Sequence, residues 1–140
     1  MTRWLNQHQP WGIFLLRIVL GLAMLVHGYP KVFPSGLFHT NISAALDHTA
    51  HTATALGLPH WFGALSALTE FLGGMLLILG LLTRFTAFLV TLDLLTFLIF
   101  SDIHHGYTGS EYPLALTSIA FLLLLTGPGK AALDRKLNLS

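Results

Sequence analysis

The sequence contains no cysteine and very few charged residues. Without cysteine the chain has no disulfide scaffold, no thiol–disulfide relay and no thiolate metal site. Only 9% of its 140 residues are charged, seven basic and six acidic, whereas soluble domains carry roughly 25%. So few charges cannot cover a solvated surface, and a net charge of +1 offers no basic face for nucleic acid. The composition argues against a soluble domain and against a nucleic-acid-binding protein.

Long apolar segments take the place of that polar surface. Hydrophobic residues make up 54% of the chain, which excludes intrinsic disorder. Four segments have the character of membrane helices, which need about 20 residues each. They are Trp11–Tyr29, Trp61–Leu82, Phe85–Phe100 and Tyr112–Thr126, and prolines such as Pro10 stand at their starts. The sequence therefore predicts an all-α integral membrane four-helix bundle, formed by a single domain over residues 1–140.

Aromatic and basic residues indicate how this bundle lies in the membrane. Every Trp and Tyr falls at or near the end of a span, as expected at the two membrane–water interfaces. Four spans place both termini on one side. The side of the termini carries five basic residues, Arg3, Arg84, Lys130, Arg135 and Lys136. The other side carries Lys31. By the positive-inside rule we predict an inner (plasma) membrane protein with both termini in the cytoplasm.

The first loop on the predicted outer side contains a further helix. Residues 41–56 carry a weak apolar stripe, with Asn41 or Ser43 as a cap at the start and Gly57 as a stop. An amphipathic stretch of this kind lies along the membrane surface or folds back toward the bundle. We predict an outer-side interfacial helix in this loop.

Three ionisable residues, Arg17, Glu70 and Asp93, fall inside the predicted spans. Each costs roughly 2.5–3.5 kcal/mol on insertion scales and therefore needs a partner or a role. Arg17 and Glu70 share helix faces with small residues, which places them toward the bundle interior. A depth count at about 1.5 Å per residue brings Arg17 within reach of Asp93 and, if its side chain is stretched, of Glu70. We expect Arg17 to pair with one of the two carboxylates.

One acid is then left over, and burial favours its neutral form. His27 lies near the outer end of the first span and is closer in depth to Glu70 than Arg17 is. A neutral Glu70 beside His27 would form a hydrogen-bonding or proton-transfer pair for the polar head group of a ligand.

Histidine is abundant, with eight residues, seven of them on the predicted outer half. His48 and His51 are spaced to share a metal ion, and His104 and His105 lie in the other outer loop. Imidazole and carboxylate ligands suit zinc or copper. The spacing is weakly specific, so incidental histidines and an outer metal site both stay open. Haem ligation is disfavoured because His27 alone lies inside a span.

Five short motifs occur in order between about Leu15 and Asp134. They are Arg17-x-x-x-Gly21, His27-Gly28-x-x-Lys31, Glu70-x-x-Gly73-Gly74, Gly80-Leu81-Leu82-Thr83-Arg84, and Leu125-Thr126-Gly127-Pro128-Gly129 followed by Asp134. In this order and at these spacings the chain resembles the DoxX/DoxD-like family of small four-span membrane proteins.

The resemblance implies a four-helix membrane bundle and a connection with redox chemistry. DoxD-type members are the membrane subunit of a thiosulfate:quinone oxidoreductase, and DoxX-type members are linked to membrane complexes that handle redox stress and sulfur. Arg17, Lys31 and Glu70 are the positions that match, with Lys31 at the outer interface beside an anionic head group or an acidic residue. Together with His27 and Asp93 they are the candidate residues for ligand or proton handling.

Three functions remain open at this point. The first is an accessory or docking subunit of a membrane redox complex, with a protein partner or as a homo-oligomer, that holds a quinone or lipid. The second is the catalytic subunit of a quinone-linked, thiosulfate-type oxidoreductase, in which His27 and Glu70 handle the quinone protons. The third is an outer-face protein for metal handling or transport. The lack of cysteine and of paired haem-type histidines favours the first.

Overall fold

The computed structural model describes residues 2–100 and 107–137, and all regular structure in those ranges is helical. The helices are α1 (Thr2–Val32), α2 (Ile42–Ala55), α3 (His60–Leu79), α4 (Thr83–Phe100), α5 (Tyr107–Thr126) and the short α6 (Leu133–Lys136). α1 packs against α3, α3 against α4 and α4 against α5, which returns to α1. The four long helices thus close a bundle, and the predicted all-α fold is confirmed.

Each predicted span overlaps a helix, although α3 ends at Leu79, three residues before the predicted end of the second span at Leu82. Asn6–Val32 of α1, together with α3 and α4, is long and apolar enough to cross a membrane, while the apolar part of α5, Ser110–Thr126, is shorter. The helix that contains the first predicted span starts earlier than Trp11, because α1 begins at Thr2 and continues through Pro10. Proline removes the bond to the carbonyl four residues earlier. Here that carbonyl belongs to Asn6, which is exposed and can be solvated.

The bundle has two chemically different ends. At the terminal end, the α3–α4 turn (80–82) and the segment 127–137 meet the first half of α1: the Lys130 N–H donates to the Pro10 carbonyl at 3.0 Å, and the Asp134 N–H donates to Gly80 at 2.9 Å. At the loop end, the connection 33–41 and α2 cover the last turns of α1 and the first turns of α3.

Glycines set the distance between α1 and α3. A Cβ atom on Gly28 would lie 2.8 Å from the Glu70 carbonyl carbon, and one on Gly74 would lie 2.6 Å from the Leu25 nitrogen. Neither position has room for a side chain, so the two backbones touch, as the predicted small-residue faces require. This close contact brings Glu70 against the last turns of α1.

α2 packs on the loop end of the bundle. Asn41 caps its start by accepting a hydrogen bond from the Ala44 N–H, and Gly57, with a φ of +82°, follows its end, as the sequence predicts. The buried side of α2 carries Ala45, Ala50 and Ala53. Its backbone meets α3 at Gly63, where a Cβ atom would overlap the Thr49 carbonyl. Its position relative to the membrane surface stays a prediction.

Candidate functional site

Arg17 and Lys31 lie on α1, about 21 Å apart along the helix axis. Helical side chains lean toward the N-terminus of their own helix. Arg17 therefore extends toward the terminal end of the bundle, away from the acids of the interior. Lys31, at the other end of α1, leans inward and reaches them. Because of this lean, Arg17 and Lys31 take part in two separate polar clusters, one at each end of the bundle.

In the terminal cluster, Arg17 is bound by main-chain carbonyls. Its side chain is fully buried, and its guanidinium donates to the carbonyls of Pro128 at 2.5 Å and Ala131 at 3.0 Å. The sequence-based pairing of Arg17 with Asp93 or Glu70 is therefore wrong. The depth count treated the guanidinium as level with its Cα atom, whereas the side chain extends toward the N-terminus of α1.

Asp134 completes the terminal cluster. One carboxylate oxygen accepts from the Leu82 N–H at 2.6 Å, and the other accepts from the Thr83 N–H at 2.8 Å, at the start of α4. A carboxylate at a helix N-terminus satisfies N–H groups that have no partner within the helix. Leu82 has a left-handed φ of +50°, and its bond to Asp134 holds this turn. Arg17 and Asp134 thus tie the C-terminal segment to α1 and α4.

In the second cluster, at the loop end, Lys31 and Glu70 form an ion pair. Lys31 Nζ lies 2.7 Å from each carboxylate oxygen of Glu70, and it lies 5.3 Å from the centroid of the Phe97 ring. Glu70 therefore pairs with Lys31 and not with His27 or Arg17 in the described residues, and its expected neutral form stays a prediction. The sequence-based count set one buried cation, Arg17, against two acids, whereas the expectation that Lys31 meets an acidic residue agrees with this pair.

His27 does not share a hydrogen bond with Glu70 in the described part of the chain. Its Nδ1 lies 2.8 Å from the Ala23 carbonyl, and its ring stacks on Tyr112 with centroids 5.7 Å apart. Since a carbonyl can only accept, Nδ1 carries the proton of that bond. A neutral His27 then has Nε2 as a free acceptor, and the side chain lines the cavity described next.

A cavity of about 770 Å³ lies between α2 and the ends of α1, α3 and α4. Lys31, His27, His48, Ser66 and Phe97 are among its lining residues. Ser66 is 3% exposed, and its hydroxyl lies beside the Asp93 carboxyl group. A hydroxyl has one donor and two acceptor lone pairs, so a polar ligand atom or a water at this point of the wall can complete its hydrogen bonding.

Asp93 belongs to the same loop-end cluster. It is buried on α4, where its carboxyl group lies beside the Ser66 hydroxyl and near the charges of Glu70 and Lys31. Its Oδ2 atom finds no hydrogen-bond partner among residues 2–100 and 107–137. The cluster therefore combines one cation, two carboxyl groups and a hydroxyl.

The proposed metal ligands do not converge in the described residues. His48 lines the cavity, whereas the His51 ring contacts the His60 ring at 5.2 Å. No group of three potential ligands among His, Cys, Asp and Glu occurs in the described part of the chain. His104 and His105 lie outside the described residues, so a metal site that includes them stays a prediction.

Sequence reasoning missed Ser66 and Phe97. Ser66 precedes Glu70 by one helical turn, on the face that also carries Gly63 and Ala67. A polar residue on a face of small residues was the available signal for Ser66. Phe97 carries no such signal, because a phenylalanine inside a span is ordinary.

Comparison with known proteins identifies the family. The DoxX family model matches residues 12–102. The chain belongs to the DoxX family. The matched region includes the whole loop-end cluster and Arg17, whereas the segment that binds Arg17 lies beyond it.

Three relatives cover most of the DoxX chain. "Inner membrane protein YqjF" of Escherichia coli (strain K12) is 34% identical over 131 residues, which are 91% of this chain and 92% of that protein. "Putative oxidoreductase CatD" of Bacillus subtilis (strain 168) is 32% identical over 126 residues, which are 88% of this chain and 84% of that protein. An uncharacterized membrane protein of Mycobacterium tuberculosis (strain ATCC 25618 / H37Rv) is 26% identical, and the match covers 97% of this chain and 87% of that protein. No solved structure gives a significant match.

Proposed function

We propose that this DoxX protein holds the head group of a quinone in the loop-end cavity, as an accessory or docking subunit of a membrane redox complex. The observation that carries the proposal is the buried Ser66 hydroxyl, which lines a cavity of about 770 Å³ and lies beside the buried Asp93 carboxyl group. It lies beside the Lys31–Glu70 pair, which supplies further polar atoms.

The side chains of the cavity fit the two redox forms of a quinone. A quinone head group presents carbonyl oxygens, which accept hydrogen bonds from donors such as the Ser66 hydroxyl and the Lys31 ammonium. A quinol presents hydroxyl groups, which need acceptors such as Nε2 of a neutral His27 or the oxygen of the Ser66 hydroxyl. Phe97 offers an aromatic face beside these groups. The isoprenoid tail would extend into the lipid.

Bound quinone can be measured directly. We would purify the full chain in a mild detergent, extract it with organic solvent and quantify quinones by mass spectrometry. Ser66→Ala removes one hydrogen-bond donor and should lower quinone retention about fivefold, equivalent to about 1 kcal/mol. Ser118→Ala is the matched control, because Ser118 is exposed on α5 and bonds to its own helix at Leu114. Equal retention in both variants, or no quinone in the wild type, would contradict the proposal.

A catalytic role is the second candidate, and the name of the Bacillus subtilis relative favours it. Thiosulfate with a water-soluble quinone is the diagnostic assay. The accessory role requires that the purified chain alone does not reduce the quinone and that activity appears only with a partner subunit. Reduction by the chain alone, abolished by Ser66→Ala and retained in Ser118→Ala, would establish the catalytic role instead.

We propose an inner-membrane location with both termini in the cytoplasm. The terminal end carries Arg84, Lys130, Arg135 and Lys136, whereas Lys31 at the loop end is engaged by Glu70. An excess of basic residues on one side sets the orientation of membrane proteins. The loop-end cavity would then open toward the outer side.

A further inference from the structure

A second cavity, of about 380 Å³, lies at the terminal end of the bundle. It is formed where the start of α1 meets the start of α4 and the segment that follows α5. Its wall includes Ile13, Thr126 and Gly129, together with the two arginines Arg84 and Arg135. Neither arginine has a role in the loop-end site.

The two arginines have no counter-charge in the described residues. The ion pair found in residues 2–100 and 107–137 joins Lys31 to Glu70, at the opposite end of the bundle. The acidic residue beside this cavity, Asp134, already accepts hydrogen bonds from Leu82 and Thr83. Among the described residues, no carboxylate forms an ion pair with Arg84 or Arg135, and no acidic side chain lines the cavity.

Arg84 lies close to the turn that follows α5. A Cβ atom on Gly127 would lie 3.2 Å from Arg84 Nε and 3.5 Å from Arg84 Nη2, so the nitrogen edge of the guanidinium lies near that glycine. Gly127 has a φ of +81°, which disfavours any larger residue there. The turn thus leaves room for the Arg84 side chain beside the cavity.

Arginine donors of this kind bind phosphate through paired hydrogen bonds. The surroundings favour a phosphate carried by a lipid, because exposed apolar side chains flank the cavity on the membrane-spanning helices. Trp11, Phe85 and Leu125 are all at least half exposed. Lys130 lies over the Trp11 ring, and tryptophan is typical of the membrane–water interface. At that depth the three apolar side chains would face acyl chains.

We propose that this cavity binds the phosphodiester head group of an anionic phospholipid. The phosphate lies between Arg84 and Arg135, and the acyl chains run along the apolar surface of α4 and α5. Bound there, the lipid joins the start of α1, the start of α4 and the C-terminal segment. Basic cavities at the ends of membrane helices recognise anionic head groups through the same charge complementarity.

The test is thermal unfolding of the purified full chain in a neutral detergent, titrated with phosphatidylglycerol, phosphatidylcholine or inorganic phosphate. We expect phosphatidylglycerol to raise the melting temperature of the wild type more than phosphatidylcholine does. In the double variant Arg84→Gln with Arg135→Gln, the apparent affinity for phosphatidylglycerol should fall about tenfold. Each shift is measured from that variant's own lipid-free baseline.

The control removes the same charge elsewhere. Arg3→Gln with Lys136→Gln neutralises two exposed basic residues that do not line the cavity. Unchanged affinity in this control supports the assigned site, whereas an equal loss in both double variants overturns it. Inorganic phosphate that reproduces the full shift overturns the assignment to a lipid. If the cavity double variant does not fold, Arg135→Gln alone should show a partial loss, and wild-type affinity in that variant overturns the site.

Discussion

Lys31 Nζ lies 2.7 Å from both carboxylate oxygens of Glu70, across the contact between α1 and α3. The two side chains are unequally buried, with 35% of the lysine and 6% of the glutamate exposed. Lysine can turn its ammonium group toward solvent when its partner is absent. The glutamate has no such alternative. The pair should therefore respond differently to the loss of each member.

Lys31→Met should destabilise the fold more than Glu70→Gln. Loss of the lysine leaves a buried carboxylate without its cation, at a cost of about 3–5 kcal/mol for a buried pair broken on one side. Loss of the glutamate charge should cost about 1–2 kcal/mol, because Lys31 reaches solvent. Thermal unfolding in detergent measures both, and the double variant should be more stable than Lys31→Met alone. Equal losses in the two single variants would argue against this asymmetry.

Arg17→Ala should destabilise the terminal end by about 3 kcal/mol, since it leaves the buried Pro128 carbonyl and the partly buried Ala131 carbonyl without their donor and opens a cavity. Arg17→Lys should lose less, because it keeps the charge and one donor. Asp93→Asn should not reproduce the effect, since Asp93 lies in the loop-end cluster. Protease sensitivity of the segment after α5 reports the local change. Greater sensitivity in Asp93→Asn than in Arg17→Ala would restore the pairing expected from the sequence.

Gly28→Ala should weaken the contact between α1 and α3. The added Cβ atom would lie 2.8 Å from the Glu70 carbonyl carbon, and overpacking of this kind costs about 1–3 kcal/mol. Gly12→Ala is the control on the same helix, because nothing lies within 4 Å of its Cβ position. That change should be neutral or stabilising by up to about 1 kcal/mol. Similar melting temperatures for the two variants would contradict the close packing.

The proposed orientation can be tested with single-cysteine variants, and the natural chain has no cysteine to remove first. A cysteine at Arg84 or Lys136 should react with an impermeant thiol reagent only after the cells are opened. A cysteine at His48 should react in intact cells, because His48 lies at the loop end. Reaction at position 84 in intact cells would reverse the topology.

Much of the architecture follows from local sequence. The four spans can be recognised because lipid selects long apolar segments, and α2 can be recognised from its cap at Asn41 and its stop at Gly57. The face shared by Gly63, Glu70 and Gly74 follows from helical periodicity. Helix starts were less predictable: α1 continues through Pro10 because the carbonyl of Asn6 is exposed.

The tertiary structure alone decided which charges meet. Arg17 and Glu70 were identified as interior residues from the sequence, but their partners, the carbonyl of Pro128 and the ammonium of Lys31, lie 111 and 39 residues away along the chain. Composition and periodicity determine that a buried charge needs a partner. Which partner it finds depends on the direction in which its side chain leans and on the path by which the C-terminal segment returns to α1. The lean follows from the geometry of any α-helix. The path of the C-terminal segment is a property of the packed bundle alone, because charges interact through their separation in space and not along the sequence.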